Sequence, residues 1–498
     1  MRFSIRILCF ATALAPSALL HADPLLTSWV TEYSGKYARV YQTDADKTAG
    51  TTYTTWPSAA YSSTVHVGQS TPTYCGVHEI DESTSWVYVK TTGLSCNVMG
   101  PWYLSSTHVQ MFPNMPKNQA ITFRFPRVPQ PATSKTSTSL GAIGIFVDGV
   151  SMFDGRDAFS VSSYTNGTTV SEANPGLGIW NRSAYLNEGA TFDPAYAHQP
   201  GSGQYHYHAE PIALRYLLGD NILYNSSTKT YSENTANTSL KHSPILGWAA
   251  DGYPVYGPYG YSSALDATST ITRMRTGYVY RNGQNGTTNL ASTGRTTLPA
   301  WAQRAQNRTT LTTSQYGPNV TTSYPLGRYL EDYDYLGDHG KVLGTDFDMN
   351  EFNCRYCVTP EYPGGTYAYF TCIDSTGAPT FPYNIGRQFY GVASGGALSS
   401  ITETVTTIFK GGPSAALTAQ SPSVNTTTGD VTLTWSSVEG STYQVQTSAD
   451  LSTWASSSVQ ASPGVTTQVV DPTAAKSYTK RFYRFSLTSL ATYDSTGF

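Results

Sequence analysis

The stretch with the clearest chemical content is Tyr205-His206-Tyr207-His208. Aromatic and imidazole side chains alternate there, and a strand turns alternate residues to opposite faces. His206 and His208 then share one face, and Tyr205 and Tyr207 share the other. Gly201 and Gly203 before the run and Pro211 after it predict a short strand of about five residues. Two neutral imidazoles on one face bind one metal ion when further ligands reach them, and imidazole-rich sites suit zinc, copper, iron or nickel. The nearest candidates for those ligands are His198, Asp193 and Glu210, and His242 and Asp251 stand farther along. The competing reading makes both histidines hydrogen-bonded packing residues among tyrosines. Clustering with His198 and His242, in a chain with nine histidines in all, is what favours metal.

A second polar stretch runs His242-Ser-Pro-Ile-Leu-Gly-Trp-Ala-Ala-Asp251-Gly-Tyr-Pro-Val-Tyr-Gly257. His242 is a candidate fourth metal ligand or an organiser of its loop. Asp251-Gly252 reads as a turn in which the carboxylate caps its own backbone. Asp251 and Glu210 are the weak candidates for a general base beside a metal. The acidic run Glu331-Asp-Tyr-Asp334, with Asp338, Asp346, Asp348 and Glu351, offers oxygen ligands for calcium without the EF-hand spacing. A solvated loop is the plainer reading. The sequence carries no Gly-x-Ser-x-Gly elbow, phosphate loop or dinucleotide fingerprint. Net charge is −3 and no basic face is visible, which argues against a nucleic-acid partner.

The elements that must position these residues are mainly strands. Ser85–Lys90 and Ile121–Phe125 alternate, and Leu140–Asp154 reads as a hairpin turning at Asp148-Gly149. Short helices are expected at Glu210–Gly219 and Pro299–Asn307, and Thr268–Thr322 reads as a long excursion with little structure. Gly203-Gln-Tyr-His-Tyr-His208 has an echo in Gly365-Thr-Tyr-Ala-Tyr-Phe370, where Ala and Phe replace the histidines. A duplicated β-unit and chance are the two readings of that echo.

Arg2 and Arg6 precede an apolar run from Ile7 to Leu20, the pattern of a cleaved export signal ending near Ala22. No later stretch is long and apolar enough to span a bilayer. The mature chain is expected in the periplasm, at the cell surface or outside the cell. There Cys75, Cys96, Cys354, Cys357 and Cys372 favour disulfides. Cys75–Cys96 is one expected pair and Cys372 with Cys354 or Cys357 the other. A redox or metal role for Cys354-x-x-Cys357 is the alternative. The expected organisation is a signal over 1–22, a large irregular β domain over 23–409, a linker over 410–415 and a small β-sandwich over 416–498.

The C-terminal run, with Leu433-Thr-Trp435, Tyr443–Trp454 and Phe482–Phe485, resembles fibronectin type III-like modules of exported bacterial proteins. Such modules space, display or bind, and a glycan or protein is the implied partner. The larger part resembles the YHYH-domain family. The resemblance rests on Leu140–Asp154, Phe192-Asp193 with His198-Gln-Pro, the tetrapeptide Tyr205–His208, His242–Gly257, Leu326–Tyr333 and Cys357–Phe370. It covers about Gly141 to Phe370 and implies an exported bacterial setting, with no particular reaction. The expected function is binding of copper or zinc through His206 and His208, helped by His198, with the tyrosine-rich surroundings favouring copper. The alternatives are a metal-dependent hydrolase or lyase on extracellular polymer, and a non-catalytic surface or adhesion protein.

Overall fold

Two Asp-Gly hairpins lie side by side at the centre of the structure, a computed structural model that describes residues 23–56, 68–165, 169–411, 419–437, 441–463 and 466–489. The expected signal, residues 1–22, and positions 412–415 of the expected linker lie outside the described residues. The central sheet has eight strands: β1 (Ala142–Phe146), β2 (Ser151–Phe153), β3 (Ala197–His198), β4 (His206–Tyr207), β5 (Ile245–Ala249), β6 (Pro254–Tyr256), β7 (Cys354–Cys357) and β8 (Thr366–Phe370). β1 and β2 turn at Asp148-Gly149, and β5 and β6 turn at Asp251-Gly252. Gly149 N–H donates to Phe146 O and Gly252 N–H to Ala249 O, both at 2.8 Å. Their φ values of 88° and 83° favour glycine.

The spatial order is β7-β8-β6-β5-β1-β2-β4-β3. It reads the same from both ends. β1 and β5 pair antiparallel at the centre, with Ile145 opposite Trp248. β4 lies parallel to β2 and β8 parallel to β6. β3 and β7 close the two ends antiparallel. The echo is therefore a duplication within one sheet. Met152 and Val255, each four residues past its turn aspartate, face Tyr207 and Tyr369 respectively. The register then matches His206 with Ala368, His208 with Phe370, and His198, opposite His206, with Arg355, opposite Ala368.

Burial follows from this arrangement. Every residue of β5 and β6 is buried, as suits strands covered on both faces. Ile145, Met152, Tyr205, Tyr207, Trp248 and Tyr369 share one apolar core with Val87, Phe123 and Phe125 of a second, five-stranded sheet. That sheet includes Val77–Glu82, Trp86–Thr91 and Ile121–Pro126, and Thr406–Lys410 is one of its edges. Farther on, two three-stranded sheets enclose Leu433, Trp435, Tyr443 and Val445.

Three local expectations change. The strand at the tetrapeptide is only His206–Tyr207, because the bonding partners on both sides, Ser151–Met152 and Ala197–His198, are equally short. The helices are Ile212–Leu217 and Ala300–Gln306, each entered through a proline. Thr268–Thr322 is better ordered than expected, with strands Ile271–Arg273 and Tyr278–Tyr280 and a helix that buries Trp301 in a second core beside Tyr333 and Phe381. Its arginines supply much of that order: Arg295 bonds Asp332, and Arg281 bonds Thr297 O and Glu331 O.

Cys75, Cys96, Cys354, Cys357 and Cys372 are buried and none forms a disulfide, so the expected pairs are absent from the structure. Cys75 and Cys96 are nonetheless hydrogen-bonded neighbours. Cys372 points elsewhere, with Sγ donating to Asn353 Oδ1 at 3.2 Å. Cys354 and Cys357 lie three apart on one strand, which sends their side chains to opposite faces.

Candidate metal centre

β3 and β4 end the sheet, and their register sets His198 directly opposite His206. Alternation carries His208 to the same side, and the His206 and His208 rings stand 4.7 Å apart. Tyr205 and Tyr207 turn the other way into the core. The ligand atoms of His198, His206 and His208 lie within 4.8 Å of one another. All three side chains are buried.

The hydrogen bonds fix what these rings present. His206 Nδ1–H donates to Gln204 O at 2.8 Å, and His208 Nδ1–H donates to Asp154 O at 2.7 Å. A carbonyl only accepts, so both protons sit on Nδ1 and both Nε2 atoms carry lone pairs. Thr191 Oγ–H donates to Glu188 O at 2.7 Å, which leaves Thr191 Oγ1 to accept from His198 Nδ1–H, also at 2.7 Å. His198 therefore presents an Nε2 lone pair as well.

Glu188 completes the group, and nothing in the sequence singled it out. The helix Ala184–Glu188 and the turn Gly189–Thr191 fold back over β3, bringing Glu188 Oε2 to 3.3 Å from His208 Nε2 and 3.6 Å from His198 Nε2. That oxygen is shielded and accepts no hydrogen bond. The side chain as a whole is 26 % exposed, so the group meets solvent on this side.

Electrostatics keep the three imidazoles neutral, with their lone pairs free for a cation. Burial, and for His198 and His206 the neighbouring rings, hold these two imidazoles well below their ordinary value, and burial also lowers His208. Burial pushes the Glu188 carboxyl up to about 8, with the Asp157 charge adding and Arg182 opposing. The Nε2 atoms of His206 and His208 face each other at 2.9 Å, lone pair to lone pair.

Phenylalanines form the immediate walls. Phe153 stacks on His206 at 3.9 Å, and Phe192 stands edge-on to His198 at 4.8 Å. The tyrosines behind the copper preference do not line the group: Tyr205 OH donates to Asp193 Oδ2 at 2.8 Å on the far side. Asp193 is occupied there, accepting also from Gly100 N–H at 2.8 Å.

The remaining candidates stand apart from the three histidines. His242 bonds Ser243 O through Nδ1 and lines an open cleft of about 540 Å³ with Asp220, Lys241 and Glu361. Asp251 is the second copy's turn aspartate and accepts from Tyr369 OH and Gly391 N–H. Glu210 is bound to Arg215, which also holds Asp220 and Glu233. Neither carboxylate is aimed at the imidazoles as a base. The acidic run is engaged by cations: Asp332 by Arg295, Asp338 and Glu351 by Arg304, and Asp348 by Arg275. Those pairs hold the oxygens that a calcium site there would need.

The YHYH protein family matches residues 122–381, slightly more than half the length. The chain belongs to this family. No curated protein and no solved structure matches it. The match takes in both copies of the duplicated unit, so the YHYH domain includes the half that lacks the histidines. In that half Arg355 stands in place of His198, and its guanidinium donates to Met274 Sδ at 2.9 Å and Tyr261 O at 3.2 Å. A fixed cation thus sits where the other half gathers lone pairs.

Proposed function

We propose that this YHYH protein is exported and binds one zinc or copper ion through Nε2 of His198, His206 and His208, with Glu188 as an oxygen ligand. The observation that carries the reading is the set of hydrogen bonds that commits all three protons to Nδ1. Three lone pairs and one carboxyl oxygen without a hydrogen-bond partner then meet in one largely buried space, and a cation that displaces the Glu188 proton satisfies all four. Rings pushed below their ordinary pKa do not hold that cation as a proton at neutral pH. Three imidazoles and a carboxylate suit the zinc and copper class. The basic start and apolar run of residues 2–20 support export. The two C-terminal sheets, sharing the Trp435 core, support a fibronectin type III-like module that displays the metal domain or binds a glycan or protein.

The test is metal analysis of the chain from Asp23, beside His206→Ala/His208→Ala. About one equivalent of zinc or copper in the first and none in the second supports the reading. A chain that neither contains nor takes up either metal refutes it, as does uptake unchanged in the double variant.

A further inference from the structure

The three histidines are oriented by different means. His206 and His208 donate to main-chain carbonyls, of Gln204 and Asp154. Substitution at those positions leaves the acceptor in place. His198 instead donates to a side chain, Thr191 Oγ1. That hydroxyl can accept in this direction because its own proton is committed to Glu188 O. The relay therefore runs from the main chain of one proposed ligand, through Thr191, to the ring of another. Without it His198 is free to move its proton to Nε2, which would point N–H at Glu188 and His208 and remove a donor from the group.

We infer that Thr191 is the positioning residue of the centre: it holds His198 in the Nδ1–H form and fixes the ring's aim. This rests on the metal-binding reading for its consequence, but the tautomer is a property of the metal-free chain. An outer partner of a metal-ligating histidine is typically worth 10–100-fold in metal affinity. Thr191→Val keeps the shape and removes both hydrogen bonds, and Thr191→Ser keeps the hydroxyl.

The experiment has two readouts on full-length wild type and both variants. Nitrogen-15 NMR of labelled histidine reads the His198 tautomer without metal, and chelator competition reads zinc affinity. The expected result is Nδ1–H at His198 in wild type and Thr191→Ser, and a mixed or Nε2–H form in Thr191→Val. Zinc affinity falls about 10–100-fold in Thr191→Val and returns in Thr191→Ser. Should the valine variant not fold, Thr191→Ala makes the same deletion. An unchanged tautomer, or affinity within about twofold of wild type, in the hydroxyl-free variant overturns the inference. If wild type takes up no zinc or copper, the metal reading fails while the tautomer result still decides the role of Thr191.

Discussion

Asp148→Asn should stabilise the protein, and only above mildly acidic pH. Asp148 closes the first hairpin turn, where Oδ1 accepts from Val150 N–H at 3.2 Å. Its Oδ2 lies 2.8 Å from Ser95 Oγ, which also lies 2.5 Å from Asn97 Oδ1. Ser95 has one proton for two acceptors. A protonated Asp148 resolves the conflict by donating to Ser95, whose proton then goes to Asn97. Burial accordingly pushes the Asp148 carboxyl from 3.8 up to about 6, against the hydrogen bonds from Ser95 and Val150. A rise of that size is worth about 3 kcal/mol. The unfolded carboxyl titrates near its ordinary value, so between the two values the folded chain holds the extra proton. Stability therefore falls as pH rises through that window, and the full cost is present above about pH 6. Asparagine donates through Nδ2 as the protonated acid does and does not titrate. Urea unfolding followed by tryptophan fluorescence should show Asp148→Asn gaining about 2–3 kcal/mol on wild type between about pH 4 and pH 7.5. Other buried carboxyls, such as those of Asp193 and Glu331, move both proteins alike and cancel in the difference. A difference that stays flat across this range would refute the reasoning.

Two further outcomes follow from buried pairs. Asp332→Ala removes the partner of the fully buried Arg295, so the urea midpoint should drop by the equivalent of about 3–5 kcal/mol. A loss below about 1 kcal/mol would mean that Arg295 is compensated by the carbonyls around it. Mild oxidation should join Cys75 to Cys96 and leave Cys354, Cys357 and Cys372 reduced. Peptide mapping checks this, and a link to Cys372 would contradict the placement of these side chains.

The sequence was legible where chemistry and local period coincide. His206 and His208 share a face because alternation demands it, and the Asp148-Gly149 hairpin turns where its dipeptide says. The Tyr367-x-Tyr369 echo was visible as spacing, and the sheet order makes it a duplication. What stayed hidden depends on register between distant strands. Glu188 precedes His198 by ten residues, and only the fold-back of Ala184–Thr191 brings the two together. His242 belongs to the second copy of the unit and so stands apart from the imidazoles of the first. Arg355 gives no local sign that it corresponds to His198. The acidic run invited calcium because its partners, Arg275, Arg295 and Arg304, lie in a stretch that reads as loop.

The most direct test of the central claim is anomalous diffraction from a crystal of the chain equilibrated with zinc or copper. One strong peak is expected, bonded to Nε2 of His198, His206 and His208 at about 2.0–2.1 Å, with Glu188 at its open side. Absence of a peak there, with the three rings in the same positions, would contradict it.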